Sequence, residues 1–461
     1  MQSSDISANH PAPEDVKAWD RKHQLHPWAP MDAWRGYDNM LVNTAKGIYL
    51  WDSEGKRFID GPGGMWCVQI GYGRQDMADA ISKQVMLLPY ASPWTTTTEP
   101  SAVLAKKIAD FAPGDLNNVF FTTGGSTAVD TALRTVHFFN NWLGRHDKKI
   151  ILAREKGYHG STYLASSVTG KERDKNRFDV ESRLVRFLPD VNPYVRPEGM
   201  SEGEWCDEKV ADLEKMIESV GADNIGGFIA EPILCSGGVI IPPKGYHKRT
   251  FDICRAHDIL YISDEVVTAF GRLGHWFASE SEFGIVPDMI TCAKGLTSGY
   301  LPLGACIISD RIMERMTGPD QDMLFSNGYT YSAHPVSCAA ALKNIEIIEN
   351  EKILEHVKEV SPYFQERLQA LRKFPIVGDV RGRGLLGCIE GRPETDGTNL
   401  DAQRKLGALL DEACEEMGLL VRPLINMAVF SPSLIITKPE IDEMFDILEK
   451  ALERVSEQMG A

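Results

Sequence analysis

The chain has 461 residues, which is long for a single hydrophobic core and predicts two or three lobes. Its 43% hydrophobic and 25% charged residues are an ordinary globular balance, so disorder is not expected. With 49 basic against 65 acidic residues, the formal charge of −16 argues against nucleic acid or an anionic membrane as a partner.

Residues 1–30 are polar and Pro-bearing, an arm with a short helix expected near 15–23; no basic, apolar signal pattern is present. A hairpin follows over 48–60, then the Gly-rich segment 61–74 with Trp66. From about 76 to 335, short apolar runs alternate with helical patterns. The expected strands are 118–122, 149–153, 184–188, 225–230, 259–263, 289–292 and 304–309, with helices over 126–143, 208–219 and 245–257. Such alternation implies βαβ units and a largely parallel sheet covered by helices. Beyond 335 a long helix is expected to 350, then mixed segments and helices near 401–417 and 439–459. The reading is therefore α/β: a small domain starting with the arm and hairpin at 1–75, a large domain at 76–335, and a C-terminal small domain at 336–461. Nine scattered cysteines without a CxxC pair suggest reduced, cytoplasmic usage and neither a disulfide framework nor a zinc site. No apolar run approaches the roughly 20 residues of a membrane span.

Two strand ends carry the chemistry. The run 259–263 is followed by Asp264 and Glu265, and 289–292 is followed closely by Lys294. In an open α/β sheet, ligands bind at the carboxyl ends of strands. A lysine held in a crevice has its ammonium form disfavoured, which frees the neutral amine for Schiff-base chemistry. A carboxylate that keeps a pyridine nitrogen protonated turns that ring into an electron sink, as pyridoxal phosphate requires. Other residues on the same edge fit such a cofactor. Gly125 and Ser126 open a helix whose free N–H groups suit a phosphate. Tyr158, beside His159, is an aromatic able to stack on a flat ring, and Glu231-Pro232 closes the strand 225–230. Each feature alone has an ordinary explanation: a Ser cap, a half-buried Tyr, a carboxylate capping backbone, a solvated lysine. Together, in this order along one sheet edge, they outweigh those explanations. Neither GxGxxG nor GxxxxGK[ST] occurs, which argues against a nicotinamide dehydrogenase or a P-loop enzyme.

From about Gly47 to its C-terminus the chain resembles class III (ω-type) aminotransferases of the fold-type I pyridoxal-phosphate superfamily. The resemblance rests on Trp66-Cys67 through Gly71-Tyr72-Gly73-Arg74, Gly125-Ser126, Tyr158-His159-Gly160, Glu231-Pro232, Asp264-Glu265-Val266 and Phe270-Gly271-Arg272. Further along it rests on Lys294-Gly295, Tyr329-Thr330-Tyr331-Ser332, His334-Pro335, Arg381-Gly382-x-Gly384-Leu385 and Arg422-Pro423. It implies a mainly parallel seven-stranded sheet and a Schiff base on Lys294, with Asp264 at the pyridine nitrogen. Tyr158 and Val266 would lie on opposite ring faces, among cofactor-binding residues that also include His159 and Glu231. Gly125 and Ser126 would hold the phosphate, with Thr330 supplied by the second subunit of a homodimer. Trp66, Trp94 and Tyr158 would line the substrate pocket, and Arg422 would grip a keto-acid carboxylate, pairing with Glu231 when none is present. The chain departs from the family pattern at Thr127, usually acidic, and at Ala269, usually glycine.

The activity so implied is ping-pong transamination from a primary amine or ω-amino acid to a keto acid, with pyruvate as the implied acceptor. Racemisation, aminomutation or decarboxylation would use the same Lys294 and Asp264, and a non-catalytic homologue is the remaining alternative.

Overall fold

In the computed structural model of the protein the described residues are 11–36, 38–317, 324–392 and 399–460. The first ten residues of the expected arm lie outside them. The arm helix spans Pro13–His23, with Glu14 and Asp15 in its first turn and Arg21, Lys22 and His23 in its last, matching the helix dipole at both ends.

Three strands follow, β1 (Val42–Lys46), β2 (Tyr49–Asp52) and β3 (Arg57–Asp60), paired as an antiparallel meander. The large sheet is built from β4 (Asn118–Thr122), β5 (Ile150–Arg154), β6 (Val185–Leu188), β7 (Ile225–Ala230), β8 (Leu260–Asp264), β9 (Met289–Cys292) and β10 (Gly304–Ile308). Their order is β4-β10-β9-β8-β7-β5-β6. All seven expected strands are present, and the sheet is parallel except for β10, which runs antiparallel to β4 and β9. The reversal follows from the link between β9 and β10. It holds only the single turn Lys294–Leu296, whereas a parallel return needs a crossover helix.

Every residue of β7 is buried because helices cover both faces. On one face Ile151, Ile229 and Ile262 meet Val129, Leu133, Val136 and Phe139 of the helix Gly125–Trp142. On the other, Phe228 and Tyr261 meet Leu213 and Ile217 of the helix Glu202–Val220 and Cys254 of the helix Tyr246–Ala256. Each such apolar side chain contributes about 1.5–3 kcal/mol on burial, so the sheet's position is set by this packing and not by local propensity.

The remaining strands are β11 (Val377–Arg383), β12 (Leu386–Gly391), β13 (Leu419–Leu420), β14 (Arg422–Leu424) and β15 (Met427–Phe430). Four of them form a second sheet, β11-β12-β15-β14, while β13 crosses to pair in parallel with β3, Leu419 opposite Ile59. The N-terminal hairpin and the C-terminal segment thus share one core, in which Ile48 and Ile59 pack with Leu419, Phe445 and Leu448. The helices not assigned from the sequence include the long ones Gln75–Leu87, Glu99–Phe111 and Ile353–Ala370. Pro362 lies inside the last and reads as a breaker, yet Val357, Val360, Phe364 and Leu368 form a buried stripe at helical spacing. Among the described residues, no helix is long and apolar enough to cross a membrane.

Candidate active site

β8 and β9 are parallel neighbours with Asp264 opposite Thr291, so Asp264 and Lys294 leave adjacent strands at one edge of the sheet. Asp264 is buried and fixed from three sides. Its Oδ2 lies 2.6 Å from His159 Nδ1, and its Oδ1 accepts from Thr291 Oγ1 at 3.0 Å and from the Val266 amide at 3.2 Å. The adjoining Glu265 has a different task. It accepts from the amides of Ala278 at 2.6 Å and Ser279 at 2.9 Å, pinning the start of the helix Ala278–Phe283.

Lys294 sits in the one-turn segment after β9 with φ of 37°, a left-handed conformation that costs about 1–3 kcal/mol for a non-glycine residue. The following carbonyls are held by the buried Asn344 amide, which donates to Gly295 O at 2.8 Å and Leu296 O at 3.1 Å. Lys294 is half-buried as a residue, and its amine makes no hydrogen bond or ion pair with the described residues; it lies 5.4 Å from the centroid of the Trp66 ring. Loss of water pushes its pKa down, opposed by the charge of Asp264 and, less strongly, by Cys235, Glu231 and Cys67.

The helix Gly125–Trp142 opens directly after β4. The amides of Gly125, Ser126 and Thr127 have no acceptor among the described residues and stand at the positive end of this long helix. Thr127 turns its hydroxyl back to Gly124 O at 2.8 Å, so the departure from an acidic residue leaves those amides free. Ser126 Oγ accepts from the Ser161 amide at 3.1 Å, and Gly160 crosses this hydroxyl with φ of 134°; a Cβ there would come within 2.8 Å of Ser126 Cα. Val266 borders the same cradle, since a Cβ on Gly125 would meet its Cγ1 at 3.0 Å. The Tyr158 amide donates to Glu231 Oε1 at 2.9 Å, which anchors the turn carrying the ring.

The mouth is held more loosely. Trp66 is buried with φ of 62°, and its ring lies between-reach of two cations, with Arg422 Cζ at 5.3 Å from the centroid and the Lys294 amine at its similar distance. Arg422 Nη1 contacts Met65 Sδ at 2.9 Å, and its Nε has no partner. The expected Glu231–Arg422 pair is not formed. Glu231 is buried and gives both carboxylate oxygens to backbone amides, of Tyr158 and, at 3.1 Å, of Cys235. Trp94 is 82% exposed, and no ring or hydrogen-bond contact joins it to Lys294, Trp66 or Tyr158. Thr330 is also exposed; its carbonyl accepts from Tyr90 OH at 3.0 Å, and its side chain does not reach Gly125 or Ser126 of the same chain.

The model of the family described as aminotransferase class-III matches residues 33–452. The chain belongs to the class III aminotransferases. It is 39% identical over 444 residues to the putrescine–pyruvate aminotransferase of Pseudomonas aeruginosa, covering 95% of this chain and 96% of that one. It is 37% identical over 470 residues to the mitochondrial gamma-aminobutyrate transaminase 1 of Oryza sativa subsp. indica, covering 99% and 91%. Its fold matches the crystal structure of a thermostable (S)-enantioselective omega-transaminase from Thermomicrobium roseum with a TM-score of 0.93 at 34% identity, covering 97% of this chain and 100% of that one. It is an α/β enzyme of fold type I and depends on pyridoxal phosphate.

The residues present suit that cofactor. Three free amides at a helix start can take a phosphate, a buried and oriented carboxylate can take a protonated ring nitrogen, and an unpaired amine can take an aldehyde. Three features of this class III site were missed in the sequence. His159 was expected among the cofactor-binding residues, but its contact with Asp264, 105 positions away, was not. The arm brings Trp28 to 6.2 Å from Tyr158, ring centroid to ring centroid. Lys171 lies 5.7 Å from the same ring and donates to Ser236 Oγ at 3.0 Å.

Proposed function

We propose that this class III aminotransferase moves an amino group from a primary amine or ω-amino acid to a keto acid in two half-reactions at one site, with pyruvate as acceptor and alanine as product. One observation carries the reading: an unpaired, desolvated lysine amine stands beside a buried aspartate whose two oxygens are fixed by His159, Thr291 and the Val266 amide. The names of two relatives, a putrescine–pyruvate aminotransferase and a gamma-aminobutyrate transaminase, support a donor whose amine sits at the end of a chain.

When bound, pyridoxal phosphate supplies an aldehyde that condenses with amines and a ring that draws off the electron pair left when the donor's C–H bond breaks. Gly125 and Ser126 would hold its phosphate, joined by Thr330 of the partner subunit in a homodimer. Asp264 would hold its ring nitrogen, with Tyr158 and Val266 against the two faces. Lys294 Nζ, whose pKa loss of water lowers, would take the proton from the donor carbon, a role suited to a base with a lowered pKa. Trp66 excludes water beside that amine. Arg422, with free N–H groups, grips the carboxylate of the keto acid through its planar fork.

A panel of monoamines, diamines and ω-amino acids incubated with pyruvate tests the proposal, read as alanine formed. Alanine production dependent on both partners is the expected result. Turnover of a single substrate without any keto acid would instead reveal a racemase, mutase or decarboxylase.

A further inference from the structure

The turn that carries Lys294 has left-handed backbone near both ends, at Lys294 with φ of 37° and Ser298 with φ of 54°. Something must hold it in that shape, and one residue grips both ends. Gln69 is fully buried, and its backbone amide and that of Ile70 donate to Ser298 Oγ at 2.7 and 2.8 Å. Its side chain packs against the other end without a hydrogen bond from Nε2: a Cβ on Gly295 would come within 2.5 Å of Gln69 Nε2 and 3.0 Å of its Cδ. Gly295 is therefore the residue that lets the Gln69 amide press on the backbone next to Lys294.

Gln69 is itself clamped. Arg272 is completely buried and donates from Nη2 to Gln69 Oε1 at 2.8 Å, and from Nη1 to Leu385 O at 3.2 Å and Pro432 O at 2.5 Å. No carboxylate contacts this guanidinium among the described residues; carbonyl oxygens and one glutamine accept from its Nη groups, its Nε has no partner, and the charge of the buried Asp60 favours it from farther away. The Gln69 carbonyl accepts from the Leu434 amide at 2.8 Å and Ser433 Oγ at 2.9 Å. Of these groups, Pro432, Ser433 and Leu434 belong to the segment that follows β15, the strand paired with the one bearing Arg422.

We infer that Gln69, clamped by Arg272, is a positioning residue for Lys294, and that the pair fixes the lysine's turn relative to the sheet that carries Arg422. The inference rests on the proposed role of Lys294 but concerns its placement. A core residue of purely structural value would change stability alone; a positioning residue also changes what Lys294 does. Gln69→Met keeps the bulk and removes both the acceptor for Arg272 and the amide against Gly295. Gln69→Glu restores an acceptor for Arg272 in the same shape.

Two readouts test this. In the cofactor-loaded enzyme, Gln69→Met is expected to lower kcat about tenfold with the keto-acid KM within about twofold, and Gln69→Glu to recover part of that loss. In the cofactor-free protein, the pH midpoint for acylation of Lys294, followed by mass spectrometry of its peptide, is expected to move in Gln69→Met. Wild-type kcat together with an unmoved midpoint in that variant would overturn the inference, whatever its melting temperature. If Gln69→Met does not fold, Arg272→Lys is measured the same way: a kcat-selective loss with a moved midpoint supports the clamp, and lowered stability with neither change overturns it. The acylation readout needs no transaminase activity, so a chain that failed to transaminate would not be mistaken for a failure of this inference.

Discussion

The floor and the mouth of this site are built differently. On the floor, Asp264 has three partners, and the turn of Lys294 is held by Asn344, Ser298 and Gln69. At the mouth, the Arg422 guanidinium lies against a methionine sulfur and the Trp66 ring, and Trp94 and Thr330 are exposed. Two arginines make the same contrast. Arg272 directs both of its Nη groups to fixed oxygens of Leu385, Pro432 and Gln69, whereas Arg422 directs one Nη to a methionine sulfur; the Nε of each has no partner among the described residues. Groups that must hold one geometry for every substrate are over-determined by the fold, and groups that choose among substrates are left partly unpaired.

This contrast can be broken most severely at Lys294. Lys294→Ala is expected to lower steady-state turnover by about 1,000-fold or more, since the variant loses its general base; retained turnover would remove the floor from the account. Asp264→Asn comes next, with a loss of about 100-fold in kcat, as expected for one preorganised charge. It also carries a pH test. The Asp264 charge favours ammonium on Lys294 and burial opposes it. Removing the charge should therefore move the acylation midpoint of Lys294 in the cofactor-free protein to still lower pH, and an upward shift would contradict the assignment.

Effects at the mouth should be smaller and appear in KM. Arg422→Ala is expected to raise the keto-acid KM about tenfold or more, the value of a charged hydrogen bond, with little change for an amine lacking a carboxylate. An unchanged keto-acid KM would count against the guanidinium grip. Trp28→Ala, which removes the ring beside Tyr158, is expected to change the donor KM about threefold, in line with one aromatic contact.

The floor was also the more legible region in the sequence. Strand ends, a helix start after β4 and buried apolar runs are local patterns, and the strands 118–122, 225–230 and 289–292 have the bounds the sequence suggested. The reversed β10 was not visible, because its direction depends on how little chain separates it from β9. The helix Ile353–Ala370 was hidden by Pro362, whose cost is outweighed by a buried stripe that only the folded core reveals. At the mouth, the Glu231–Arg422 pairing failed because two backbone amides claim Glu231 first. His159, Trp28 and Gln69 reach the site through long-range contacts that spacing along the chain does not encode.

The most direct test is chemical. The enzyme is loaded with pyridoxal phosphate, reduced with borohydride and digested, and the modified peptide is located by mass spectrometry. The account predicts a phosphopyridoxyl group on Lys294 alone; modification of a different lysine, with Lys294 untouched, would contradict it.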